Sequence, residues 1–105
     1  MLPSRLLQGY VQGMTSISCD LAIIGAGPTG LYAAYYAGFR KFSVAVIDAL
    51  PEVGGQITAM YPEKEIFDIA GFPAVVGREL VDRLVEQASS AQPTYLLDSQ
   101  VVGLE

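Results

Sequence analysis

Histidine is absent from the 105 residues, and cysteine occurs once, at Cys19. The first absence removes the commonest general acid–base side chain, so chemistry in this chain leans on a cofactor. The second excludes a disulfide within the chain, and the two together exclude a Cys/His metal cluster. Cys19 reads as a small residue just before a buried strand, in preference to a reactive thiol. Basic residues are few: six Lys and Arg stand against eleven Asp and Glu, for a net charge of −5. That balance argues against nucleic acid and against an anionic membrane surface as partners. A hydrophobic content of 51% suits a globular core and argues against a disordered chain. The length allows one domain.

Charge is missing altogether from residues 21–39. Such a run is long enough to suggest a membrane span. Four glycines and Pro28 interrupt it, and a nucleotide-binding motif accounts for them. Near the N-terminus, Gly, Gln and Tyr break any apolar region that could serve as a signal peptide. A soluble, cytoplasmic protein with no membrane partner is expected. Residues 1–18 carry no clear pattern and are expected to form an N-terminal tail. Met14, which stands just before the first strong strand signal, is an alternative start.

Residues 21–48 organise the rest. Leu21–Ile24 is a short apolar run that reads as a strand buried on both faces. Gly25, Gly27 and Gly30 follow with G-x-G-x-x-G spacing, then a helix over residues 28–38 and a second strand, Val44–Ile47, ending on Asp48. Gly25 allows the sharp exit from the strand, Gly27 lets a pyrophosphate approach the backbone, and Gly30 lets helix and sheet pack closely. The helix start offers unpaired N–H groups and a positive dipole end to phosphate, and Pro28 fits there because its missing N–H is not needed. Asp48 lies about 20 residues on, where a carboxylate can accept ribose hydroxyls. The motif serves FAD and NAD(P) alike. The fold expected is α/β: a Rossmann-like FAD/NAD(P)-binding domain with a parallel sheet flanked by helices, occupying residues 19–105.

After Asp48 the chain is punctuated by Pro51, Gly54, Gly55, Pro62, Gly71 and Pro73. It reads as a long loop with one short helix at Gln56–Met60. Its content of Ile57, Met60, Tyr61, Ile66, Phe67, Ile69 and Phe72 suits a cover for a flat, partly apolar group. Gly77–Ala88 reads as an amphipathic helix with Leu80, Val81, Leu84 and Val85 inward. Strands are expected at 95–97 and 101–104. Two secure strands and two short ones are fewer than a dinucleotide-binding sheet normally has. The chain is therefore expected to be an N-terminal piece of a longer protein, with an open sheet edge that favours association.

Residues 20–84 closely resemble the start of ferredoxin–NADP reductases of the thioredoxin-reductase-like type. The specific signals are GGQ at 54–56, shared with thioredoxin reductases, and the YPEK segment at 61–64 followed by AGFP at 70–73. The resemblance implies the N-terminal part of a split FAD domain, whose NADPH domain lies outside this chain. It implies a homodimeric, full-length oxidoreductase that passes electrons from NADPH through FAD to ferredoxin or a similar iron–sulfur carrier. The 105 residues by themselves are expected to be inactive, and none is expected to be catalytic. Gly25, Gly27 and Gly30 would shape the pyrophosphate turn, and Thr29 would offer its backbone N–H. Asp48, one methylene shorter than the usual glutamate, would take the adenosine ribose. Gln56 and Tyr61 would lie near the flavin, and the backbone of Val101 would meet the adenine. The competing readings are a thioredoxin-reductase-like or other NAD(P)-dependent oxidoreductase, and a non-catalytic nucleotide-binding fragment.

Overall fold

The structure, a computed structural model, describes Gln8–Gly9 and residues 16–104. Strand β1 (Gln8–Gly9) pairs antiparallel with β2 (Ile17–Ser18), a two-residue ladder within the stretch read as a tail. The alternative start at Met14 lies outside the described residues. Strand β3 (Leu21–Ile24) leads into helix α1 (Pro28–Phe39), and β4 (Val44–Ile47) follows. The loop region then forms helix α2 (Gln56–Met60) and a two-stranded antiparallel ladder, β5 (Glu65–Ile66) with β6 (Val75–Val76). Helix α3 (Gly77–Ala88), a 3-10 turn (Ser89–Ala91) and β7 (Thr94–Leu96) complete the order.

The fold rests on a three-stranded parallel sheet, ordered β3-β4-β7. Strand β4 is central, and Val44, Ala45 and Val46 are all buried, as its unbroken apolar sequence requires. Helices α1 and α3 bury a shared interior. Ala26, Ala34, Ala37, Val44, Val46 and Ala88 form one apolar cluster. Leu31, Ile57, Val75, Leu80 and Val81 form a second, in which α3 meets α2. The inward face of α3 is the one expected, with Leu84 and Val85 half-buried beside Leu80 and Val81.

Three expectations need correction. Strand β3 is not buried on both faces: Ile23 packs on the core, but Ile24 is 71% exposed. Successive strand residues point to opposite faces, so Ile24 points away from the cluster that Ile23 joins. The third parallel strand runs over Thr94–Leu96, one residue earlier than expected. It ends in step with β4, because Ile47 is opposite Leu96, and Asp98 then takes a left-handed φ of 51° that breaks extended pairing. Residues 101–104 form no strand; all are exposed and have no ladder partner among the described residues. The outer face of α1 is also uncovered, with Tyr32, Tyr36 and Phe39 exposed at helical spacing. No helix among the described residues is long and apolar enough to cross a membrane.

Cys19 is buried, and burial pushes its thiol above the ordinary range, against the lowering effect of backbone hydrogen bonds at Ala45 and Leu21. It is expected to react with a thiol reagent at neutral pH only after denaturant is added; rapid reaction of the native protein would contradict its burial. Tyr95 packs between the two clusters, and its hydroxyl is buried without a hydrogen-bond partner among the described residues. Removing an unsatisfied buried hydroxyl relieves a desolvation cost, so Tyr95→Phe is expected to gain about 1 kcal/mol in urea unfolding. Burial raises the proton affinity of both groups in the folded state. Their contribution to stability is therefore complete below the unfolded-state values and falls as pH rises, from roughly pH 8.5 for the thiol and pH 10 for the phenol. Tyr95→Phe should flatten the upper part of that decline.

Candidate dinucleotide site

The site begins where β3 ends. Gly25 has φ of 110°, a conformation that side chains rarely adopt, and its N–H donates to the Ile47 carbonyl at 2.7 Å. The chain thus leaves the sheet in a sharp turn still tied to β4. Gly27 then caps α1 in an extended conformation, without a side-chain cap. The first hydrogen bond of the helix runs from Leu31 N–H to the Gly27 carbonyl at 2.9 Å. The N–H groups of Thr29 and Gly30 precede that bond and belong to the first turn, where donors lack partners within the helix. No acidic side chain occupies that turn to compete with an incoming anion.

Space in front of the turn is distributed unevenly. A Cβ added at Gly27 would meet nothing within 4 Å. One added at Gly30 would overlap the Gly25 carbonyl oxygen and stand 3.4 Å from Ile23 Cγ2. Gly30 is therefore required by the fold, where α1 crosses the strand exit, whereas Gly27 faces a cradle open to a ligand.

Asp48 closes the turn from the side. It is half-buried, and its carboxylate accepts the Ala26 N–H at 2.8 Å through Oδ2 and the Leu50 N–H at 2.9 Å through Oδ1. The aspartate therefore clamps the end of β4 to the glycine turn. A carboxylate has about four acceptor positions, and the two bonds to Ala26 and Leu50 use two of them. The backbone of Asp48 is also fixed: its N–H donates to the Leu96 carbonyl and its carbonyl accepts from Ser99 N–H at 2.9 Å.

The GGQ segment arrives from the opposite direction. Gly54 N–H donates to the Ala26 carbonyl at 2.7 Å. Gly55, with φ of 60°, lies so near that its Cβ would stand 3.2 Å from Gly27 Cα. Gln56 follows as the exposed first residue of α2, and Tyr61, 38% exposed, ends that helix. A cleft of about 200 Å³ opens beside Gly55 between Leu50, Glu52, Thr58 and Ala59. It is smaller than sites that enclose a drug-sized ligand.

Of the expected residues, Gly25, Gly27, Thr29, Gly30 and Asp48 are brought together at one end of the sheet. Gln56 joins them through its neighbour Gly55, and Tyr61 stands at the far end of α2. Val101 lies in irregular, exposed chain two residues beyond the Ser99–Asp48 bond, and not in a strand. Sequence reasoning missed Ala26, whose N–H and carbonyl link Asp48 to Gly54, and it missed Leu50. The paired glycines at 54–55 were the legible signal that a second turn must press on the first.

A parallel sheet, a glycine turn opening a helix and an acidic end to the next strand define a Rossmann-type nucleotide-binding unit. The chain belongs to the NAD(P)-binding Rossmann-like domain family, whose model matches residues 23–77. Its curated relatives include the ferredoxin–NADP reductase of Nocardioides sp., 71% identical over 85% of this chain and 27% of the relative. That of Saccharopolyspora erythraea is 72% identical over 74% of this chain and 24% of the relative. Among solved structures, thioredoxin reductase from Streptococcus pyogenes superposes with a TM-score of 0.65 at 32% identity, covering 75% of this chain and 24% of that one. The chain spans about a quarter of the length of the curated relatives it matches.

Proposed function

We propose that this chain provides the first part of the FAD site of a ferredoxin–NADP reductase. The observation that carries this is the meeting of three separate segments at Ala26: its N–H is bound by Asp48 and its carbonyl by Gly54, with open space at Gly27. An ordinary βα turn has no need of the third segment. FAD held here would supply the exchange between a two-electron hydride from NADPH and single electrons for an iron–sulfur carrier such as ferredoxin. The chain's own task is binding and orientation. Gly27, Thr29 and Gly30 offer backbone donors to the pyrophosphate, and the free acceptor positions of Asp48 receive the ribose. Gln56 presents an amide able both to donate and to accept at a flavin edge, and Tyr61 offers an aromatic surface. Val101 would serve the adenine through its main chain, outside any strand. The full-length homodimer, its cytoplasmic setting and the inserted NADPH domain belong to the same proposal.

The test is to mix the purified chain with FAD and follow flavin absorbance through gel filtration. Flavin travelling with folded protein is expected. Free flavin together with retained NAD(P) would replace this reading with a nicotinamide-dependent one.

A further inference from the structure

Tyr61 belongs to a segment whose backbone is fixed against α3. Gly77 N–H donates to the Lys64 carbonyl at 3.0 Å, and Arg78 N–H donates to the Pro62 carbonyl at 2.7 Å. The Arg78 guanidinium holds Glu63 Oε1 at 2.8 Å from both Nε and Nη2. Lys64 N–H closes the turn onto the Tyr61 carbonyl at 3.2 Å. Gly77 permits this closeness: a Cβ there would stand 2.6 Å from Ile57 Cγ2 and 3.1 Å from the Tyr61 carbonyl oxygen.

These ties leave the Lys64 ammonium in a particular place. Its neighbour Glu63 is taken by Arg78, and Lys64 forms no ion pair among the described residues. Its Nζ instead lies over the Tyr61 ring, 5.9 Å from the centroid. That is within reach of a cation–π attraction, near its outer limit. Helix α2 separates Gly55, which meets the glycine turn, from Tyr61. The five residues of α2 rise roughly 7.5 Å at 1.5 Å per residue.

We propose that Lys64 is a positioning residue for Tyr61: it covers one ring face and fixes the ring so that the other face receives the planar flavin. This rests on the FAD reading above. The segment 61–64 then acts as one device, in which the Glu63–Arg78 pair keeps Lys64 free for the ring and Lys64 keeps the ring in place for the ligand.

The test is FAD titration of the full chain, read by dissociation constant and by quenching of flavin fluorescence on binding. It uses the wild type, Lys64→Met, Lys64→Arg, Tyr61→Leu and the Tyr61→Leu/Lys64→Met double variant. Loss of an exposed cation–π contact corresponds to about a two- to fivefold weaker affinity. Lys64→Met should show that weakening and lose part of the quenching, and Lys64→Arg should restore both. In the Tyr61→Leu background Lys64→Met should change neither, since the ring it orients is gone. An equal effect of Lys64→Met in both backgrounds would reduce Lys64 to a general charge and overturn the inference. So would unchanged affinity and quenching in Lys64→Met. A wild-type chain that binds no FAD would overturn the FAD reading and this inference with it, whereas normal wild-type binding with a silent Lys64→Met removes this inference alone.

Discussion

Gly27→Ala is expected to keep the fold and weaken ligand binding, and Gly30→Ala is expected to destabilise the fold. The two glycines stand three residues apart in one motif, but a Cβ has opposite consequences at the two positions. At Gly27 the backbone is already extended, with φ of −76°, and the added methyl meets nothing within 4 Å. The stability change should stay within about 1 kcal/mol, the scale of replacing one weak N-cap by another. The methyl would occupy the space through which phosphate reaches the first-turn N–H groups. Losing one hydrogen bond to a charged group costs roughly 1.5–3 kcal/mol, so FAD affinity should fall about tenfold to a hundredfold. At Gly30 the methyl would overlap the Gly25 carbonyl oxygen, a backbone atom that cannot rotate aside. Overpacking of this kind should cost about 3 kcal/mol in urea unfolding. Equal destabilisation by the two substitutions would show that the cradle at Gly27 is not open.

Asp48→Ala should both destabilise the chain and weaken FAD binding. The carboxylate satisfies two backbone donors on separate segments, at Ala26 and Leu50, and alanine leaves both without it. Bonds from neutral donors to a charged acceptor are the stronger kind, but the site is half-buried and water can partly replace them. A net loss of about 2 kcal/mol is expected, or roughly 8–16 °C in melting temperature for a domain of this size. Asp48→Asn should lie between the two, because its amide oxygen still accepts one N–H while its amide nitrogen accepts none. Asp48→Glu should recover ribose binding better than stability, since the longer side chain reaches outward but must fold back to hold Ala26. An alanine variant that melts like the wild type would contradict the clamp.

The sequence made this region legible where local chemistry and tertiary packing asked for the same residues. The limits of β3, β4, α2 and α3 agree with apolar periodicity and glycine punctuation, and α1 ends at Phe39, one residue beyond the expected limit. The glycine turn could be read because its conformation is written in the residue type. Asp48 could be placed but its double role could not, since nothing in a sequence shows that an aspartate holds amides 22 residues back and two residues on. Ala26 was invisible for a related reason: it acts through its backbone, and its small side chain marks only its burial. The ladder β5–β6 is too short to give a periodic signal. Residues 101–104 misled because Val101 and Val102 favour strands, but a strand also needs a neighbour to bond. Ile24 misled likewise, since an apolar residue is buried only if its face of the sheet is covered.

We propose that the open cradle at Gly27, framed by Asp48 and the GGQ turn, is where FAD is held. The most direct measurement is to titrate FAD against the wild type and Gly27→Ala side by side, after confirming that both melt alike. Saturable binding by the wild type, weakened at least about tenfold in Gly27→Ala, is expected. Equal affinity in the two proteins would place the ligand elsewhere and contradict the account.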